Sequence, residues 1–328
     1  MNVPVRGAGA WGSALASSLA AHHDVTLYGR DALLMSSLAK TNYNSAYLPG
    51  TRLNDALNYS DNLDKVLAGA DLVIIATPMA ALRSTCTAIA QSACTAAVLW
   101  LCKGVERDST LLPHQVAAET LNDGTAFGVL SGPSFAQEVA QAMPCALVLA
   151  SNHPDLNADF AQQLHHANLR IYHSTDVIGV EVGGALKNVL AIAAGICDGM
   201  QLGLNARAAL LTRGIAEMMR LGHALGAQPA TMMGLSGVGD LILTATGGLS
   251  RNRTVGIELA AGKSLADITS SLGHVAEGVL CAHAMLALAQ DTGIDMPITQ
   301  AVCAVLDGTP PAAAVQQLLG REPTRENI

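Results

Sequence analysis

The sequence predicts an α/β fold followed by an all-α one, and three observations carry that expectation. Short apolar runs of strand length alternate with helical patterns through the first half, a glycine-rich turn stands near the start, and beyond about Asp176 the chain changes to long Ala/Leu/Gly-rich stretches. Alternation of this kind indicates a parallel sheet with crossover helices. Strands covered on both faces also read as unbroken apolar runs, as these do. At 328 residues the chain exceeds the size at which a single core stops growing, so two domains are expected. They are a sheet domain over 1–176 and a helical domain over 177–328.

The elements follow in order. The first strand is a poor one, because Pro4 lacks a ladder donor and Arg6 puts a charge where a central strand is usually apolar. The sequence alone offers no reason for either residue. Gly7-Ala8-Gly9-Ala10-Trp11-Gly12 then matches G-x-G-x-x-G and leads into a helical pattern over Ser13–Ala21. Glycines at this spacing allow a tight turn and a close approach of backbone amides to a pyrophosphate at a helix N-terminus, although an ordinary glycine turn reads the same in isolation. The context is specific, since a second strand, Val25–Tyr28, ends where the ribose-reading residue of a Rossmann-type domain belongs. Gly29-Arg30 stands there in place of Asp or Glu, and Arg30 is either a partner for a 2′-phosphate, favouring NADPH or dual use, or a solvated arginine. Asp31, next along, blurs the preference.

Further strands are expected over Leu72–Ala76, Val98–Cys102, Phe127–Leu130 and Ala146–Ala150. Lys103 follows the second strand of this set, at the edge where ligands bind in open α/β sheets; it is either a cation for a phosphate or carbonyl, or a solvated loop lysine. Ser131-Gly132-Pro133-Ser134-Phe135-Ala136 follows the next strand, with Ser134 as a candidate N-cap that doubles as an anion or hydroxyl site.

In the helical half, patterns over Val177–Cys197, Ala206–Leu225 and Gly278–Asp291 read as helices. Lys187 lies in a stretch apolar almost all round, which should be buried. A buried ammonium has its pKa lowered toward the working range of a general acid or base; the alternative is a lysine snorkelling to solvent. Asp240, in Gly237-Val238-Gly239-Asp240-Leu241, either pairs with Lys187 or caps a helix. Ser250-Arg251-Asn252-Arg253 gathers hydroxyl, guanidinium and amide donors in one loop, which suits a phosphate or else a solvated turn. No Pro/Ser-rich linker separates the halves, so a ligand cleft between directly packed domains is expected.

Composition narrows the classes. A net charge of −8 argues against nucleic-acid and anionic-membrane partners, which need clustered basic residues. Only 13% of residues are charged, which leaves apolar surface to bury and favours a homo-oligomer, with a homodimer the expectation. The seven cysteines form no C-x-x-C pair and read as reduced core residues; no histidine pair has metal spacing, so no metal is expected. No leader fits before the glycine turn, and Glu181, Lys187 and Asn188 interrupt the longest apolar stretch, so no integral membrane segment and a cytoplasmic location are expected.

Over essentially its whole length the chain resembles the bacterial-type NAD(P)-dependent glycerol-3-phosphate dehydrogenases. The blocks that carry the resemblance are Gly7–Gly12 with Trp11, Leu101–Gly104, Ser131–Val139, Gly183–Asn188, Gly237–Thr246, Ser250–Arg253 and Val275–Gly278. The resemblance implies that Lys187 is the proton acceptor in glycerol 3-phosphate oxidation and that Lys103, Gly132, Ser134, Asp240, Ser250, Arg251 and Asn252 contact a small phosphorylated substrate. It implies NADP or NAD as cofactor, held by the turn Gly7, Gly9, Ala10, Trp11 and Gly12 and by Arg30, Lys103, Ala136, Arg251, Val275 and Glu277. Supply of glycerophospholipid synthesis follows as a family expectation. Ala10 departs from the serine common in the family, which together with Pro4 and Arg6 bears on cofactor affinity. Two other readings are a β-hydroxyacid or ketopantoate-type dehydrogenase, against which the Ser250–Arg253 block speaks, and a non-catalytic dinucleotide sensor, which would need none of Lys187, Lys103 and Asp240.

Overall fold

The computed structural model of the chain describes residues 1–151, 153, 156–273 and 276–322. Two compact units form, one from Met1–Cys102 with Pro113–Val177 and the other from Lys103–Leu112 with Ile178 onward. The first unit runs β1 (Asn2–Arg6), α1 (Ala10–Leu19), β2 (Asp24–Tyr28), α2 (Ala32–Thr41), β3 (Asn58–Ser60), α3 (Leu63–Leu67), β4 (Leu72–Ile75), α4 (Leu82–Ala90), β5 (Ala97–Trp100), α5 (Pro113–Thr120), β6 (Phe127–Ser131), α6 (Ala136–Ala140), β7 (Cys145–Ala150), α7 (Ala161–Leu164) and β8 (Leu169–Ser174). The second runs α8 (Val177–Gly199), α9 (Leu204–Ala224), α10 (Pro229–Met232), α11 (Asp240–Thr246), α12 (Arg251–Ala260), α13 (Leu265–Leu272), α14 (Glu277–Asp291), α15 (Pro297–Leu306) and α16 (Pro311–Leu319).

The strands form one sheet of order β3-β2-β1-β4-β5-β6-β7-β8. Chain order reverses between β1 and β4, the switch point at whose carboxyl ends an open α/β sheet binds its ligand. The expected parallel sheet forms, with one pair of the other sense, since β7 runs antiparallel to β6. The five residues of α6 span only about 7 Å along a helix axis, against roughly 17 Å for a five-residue strand, so α6 alone does not return the chain to the start of β6. Strands β3 and β8 were not foreseen: β3 is three residues long and polar, and β8 alternates Leu169, Ile171 with exposed Arg170 and Tyr172.

The first strand is regular and central despite Pro4, and the ladder shows why. Gly7 N donates to Tyr28 O at 2.9 Å and Ala76 N to Arg6 O at 2.8 Å, so odd residues bond toward β2 and even ones toward β4. The donor that Pro4 lacks therefore faces β4, where the paired register is confined to Val5 and Arg6, while all of Asn2–Arg6 pair with β2. Val3, Val5, Leu15, Leu19, Leu27, Ile74 and Leu99, all at 0% exposure, centre the core of this unit.

In the helical unit α8 is the axial element. It is long and apolar enough by composition to cross a membrane, and 94% of its most apolar window is packed inside the protein. A Cβ at Gly195 would lie 2.1 Å from Arg253 O and one at Gly256 2.1 Å from Ile192 O, so α8 and α12 touch backbone to backbone. That contact sets the helix carrying Lys187 and Asn188 against the one that begins with Arg251 and Asn252. The buried Glu217 of α9 accepts from Ile298 N and from Thr299 N and Oγ1, which joins α9 to the N-terminus of α15.

Candidate active site

In the sheet unit the glycine turn divides its labour as a dinucleotide requires. Gly7 adopts φ +128°, which forms the tight turn after β1. A Cβ at Gly12 would fall 2.0 Å from Gly7 O and 2.8 Å from the Ala76 methyl, so this glycine lets α1 close on the sheet. Over Gly9 a Cβ would meet nothing within 4 Å, and no side chain caps α1 there. The free first-turn amides of α1, Ala10 and Trp11 among them, thus face open space at a helix N-terminus, which fits a pyrophosphate. Ala10 contributes its amide without needing a hydroxyl.

Sequence reasoning missed Asn44, which is fully buried and donates from Nδ2 to Ala8 O at 2.9 Å and to Ser13 Oγ at 2.8 Å, fixing the turn from behind. No periodicity or motif marks an asparagine in a connecting loop. Arg30 is exposed just beyond β2 and has no ion pair among the described residues. Asp31 is taken up elsewhere, since its Oδ1 accepts from Leu33 N and Leu34 N at 3.0 Å as the N-cap of α2. Gly132 follows β6 with φ +140°. Ser134 is not an N-cap: the cap of α6 is Phe135, and the Ser134 hydroxyl donates to Gly132 O at 3.0 Å, because the turn places it one residue too early. Ala136 opens α6.

The helical unit gathers the ionisable groups. Lys187 is 8% exposed on α8, and its Nζ donates to Asp240 Oδ1 at 2.9 Å and to Thr244 Oγ1 at 2.8 Å. Lys103, whose segment belongs to this unit, donates to Asp240 Oδ2 at 2.5 Å. Thr244 lies one turn after Asp240 on α11 and returns a hydrogen bond to Asp240 O at 2.7 Å. Its i,i+4 spacing from Asp240 was the available signal for a role the sequence left unassigned. Burial lowers the Lys187 ammonium to about 8, with Lys103 pushing the same way and Asp240 opposing both. Burial alone would raise Asp240, but the two ammonium groups outweigh it and hold the carboxyl below its usual range. Asp240 is thus shared by two ammonium groups, with the Glu277 carboxylate also favouring the charged form of Lys187, and donors so placed suit an oxyanion.

A second network adjoins on α8. Asn252 donates from Nδ2 to Asn188 Oδ1 at 2.8 Å and accepts from Gly278 N at 2.9 Å, while Asn188 donates to Glu277 at 3.3 Å. Ser250 caps α12 by accepting from Arg253 N at 3.2 Å. Arg251 is exposed and has no side-chain partner among the described residues, whereas Arg253 pairs with Asp198 at 2.7 Å. The segment therefore presents one guanidinium and engages the other in an ion pair. Val275 lies outside the described residues.

A glycine turn shaped for a pyrophosphate at a sheet switch point, in a chain that also buries a lysine of lowered pKa on a carboxylate, defines an NAD(P)-dependent dehydrogenase. The comparisons narrow the class. The N-terminus of the NAD-dependent glycerol-3-phosphate dehydrogenase family matches residues 2–157 and its C-terminus matches 176–316. The chain is 58% identical over 332 aligned residues to glycerol-3-phosphate dehydrogenase [NAD(P)+] of Burkholderia cenocepacia (strain HI2424), covering 99% of this chain and 100% of that protein. The crystal structure of glycerol-3-phosphate dehydrogenase from Coxiella burnetii superposes with a TM-score of 0.93 at 38% identity, covering 97% of this chain and 98% of that one. A PanE/ApbA family ketopantoate reductase from Ralstonia eutropha reaches a TM-score of 0.62 at 17% identity over 97% of this chain and 100% of its own, a likeness of fold alone. The chain belongs to the NAD-dependent glycerol-3-phosphate dehydrogenase family.

Proposed function

We propose that the chain reduces dihydroxyacetone phosphate to sn-glycerol 3-phosphate, reversibly, with NADPH or NADH. The observation that carries the reading is the buried Lys103–Asp240–Lys187 cluster. When bound, the reduced nicotinamide supplies the hydride. The turn Gly7, Gly9, Ala10, Trp11 and Gly12 would hold its pyrophosphate and Arg30 its adenosine ribose, with Lys103, Ala136, Arg251, Val275 and Glu277 as further contacts.

As the ketone is reduced, Lys187 Nζ gives a proton to the carbonyl oxygen, and the ammonium groups of the cluster stabilise the alkoxide that develops there. In the oxidation, neutral Lys187 takes that proton back. Asp240 and Thr244 hold Nζ in place through both directions. Arg251, with Ser250 and Asn252, binds the substrate phosphate, which serves as a remote handle for orienting the carbonyl; Gly132 and Ser134 line the same substrate. In the cell the enzyme works as a cytoplasmic homodimer that supplies glycerophospholipid synthesis.

The test is the disappearance of NADPH and NADH absorbance with purified protein, with and without dihydroxyacetone phosphate and with unphosphorylated dihydroxyacetone as control. Oxidation that depends on the phosphate supports the reading. Cofactor binding without oxidation of any small ketone would replace it with the sensor reading.

A further inference from the structure

Arg6 closes β1 immediately before the glycine turn, and its guanidinium leaves the sheet rather than disturbing it. Its carbon lies 5.7 Å from the Tyr28 ring centroid and Nη1 donates to Thr85 O at 3.3 Å, a long bond to a neutral acceptor. No carboxylate pairs with it among the described residues, although a guanidinium offers five donors. Burial holds its pKa below the usual arginine value; the Tyr28 side chain opposes this electrostatically, and the charge of Arg30 adds to the lowering. Arg6 and Tyr28 are register partners on adjacent strands, and Arg30 stands two residues beyond Tyr28. Two guanidinium groups are thus close enough to repel at the carboxyl edge of β1 and β2, one partly desolvated and neither neutralised. Such an arrangement costs free energy that a dianion placed between the groups removes.

We propose that Arg6 acts with Arg30 as a seat for the 2′-phosphate of NADPH and so determines cofactor preference. The inference rests on the NAD(P)H-dependent reading above and gives Arg6 the reason that the sequence alone did not. A ribose 2′-phosphate carries a charge of about −1.5 to −2 near neutral pH and accepts from planar guanidinium forks. An unmodified ribose 2′-hydroxyl offers no charge to offset the repulsion. Asp31, the nearest acid along the chain, is held by the first turn of α2 and is not turned toward a ribose hydroxyl.

The experiment is isothermal titration of the full chain with NADP+, NAD+, 2′,5′-ADP and 5′-ADP, in wild type, Arg6→Leu and Arg6→Lys. Wild type should bind 2′,5′-ADP more tightly than 5′-ADP. Arg6→Leu should lower that preference by about tenfold, the size of one charge-assisted hydrogen bond. Arg6→Lys, which keeps a point charge and loses the fork, should fall between and remains readable if Arg6→Leu does not fold. A wild type indifferent to the 2′-phosphate overturns the proposal, and so does an equal weakening of both nucleotides, which marks a strand defect. Because the titration needs no dihydroxyacetone phosphate, a chain inactive on that ketone leaves this result legible.

Discussion

Lys187 and Asp240, on α8 and α11, are joined by a 2.9 Å hydrogen bond although 53 residues separate them in sequence, and both are almost wholly buried. The pair puts a proton donor of lowered pKa where water is scarce. Lys187→Ala should keep NADPH binding and lower kcat by about 10²-fold or more, the usual cost of losing acid/base catalysis. Steady-state kinetics beside a cofactor titration checks it, and near-normal turnover would remove Lys187 from the mechanism.

The lowered Lys187 pKa predicts opposite pH profiles for the two directions. Reduction needs the ammonium form, so kcat for dihydroxyacetone phosphate should fall as pH rises through about 8. Oxidation of glycerol 3-phosphate needs the neutral amine and should rise through the same region. Asp240→Asn removes the carboxylate that favours the charged form, so both midpoints should move to lower pH.

Two glycines of one turn should respond differently to the same substitution. Gly12→Ala drives a methyl into Gly7 O and the Ala76 side chain, so it should lower the melting temperature and the yield of folded protein. At Gly9 the backbone is already extended at φ −76° and the added methyl meets nothing, so Gly9→Ala should fold normally and raise KM for NAD(P)H. Calorimetry and kinetics together separate the effects.

Arg251 and Arg253, two residues apart, should separate in the same manner. Arg251→Ala removes an exposed guanidinium and should raise KM for dihydroxyacetone phosphate by roughly 10- to 100-fold, the range of one hydrogen bond to a charged group. Arg253→Ala opens the ion pair with Asp198, leaving that carboxylate to Arg207 alone, and should act mainly on thermal stability.

The parts of this architecture legible in the sequence were those with a strong local signature. Buried parallel strands such as β4 and β5 are unbroken apolar runs, and α8 is apolar on every side, which made Lys187 conspicuous. Strands β3 and β8 lacked that signature, one for being short and polar and the other for lying at the sheet's edge with an exposed face. The turn of β7 against β6 depended on the length of α6, which no periodicity reveals. In the site, the chemistry of Lys187, Lys103 and Asp240 could be read residue by residue. The pairing of Lys187 with Asp240 was one of two readings the sequence offered, but the share of Lys103 in the same carboxylate could not be read, because it joins positions 137 residues apart. Asn44 acts through two hydrogen bonds made by tertiary contact and Thr244 through its tertiary contact with Lys187, and Ser134 misled because a serine before a helix resembles a cap whichever residue takes that role.

The segment Lys103–Leu112 belongs to the helical unit but interrupts the sheet unit in sequence. Val105 and Leu112 sit in the helical core, and Lys103 contributes a charge to its buried cluster. During synthesis this stretch leaves the ribosome well before α11, so at roughly 5–20 residues per second it waits on the order of ten seconds for Asp240. The helical domain is consequently not a transferable cassette: a gene fusion made at residue 177 would carry away α8 to α16 and leave Lys103 behind. Recombination that exchanges one domain of such an enzyme keeps this cluster whole only if the ten-residue insertion travels with the helices.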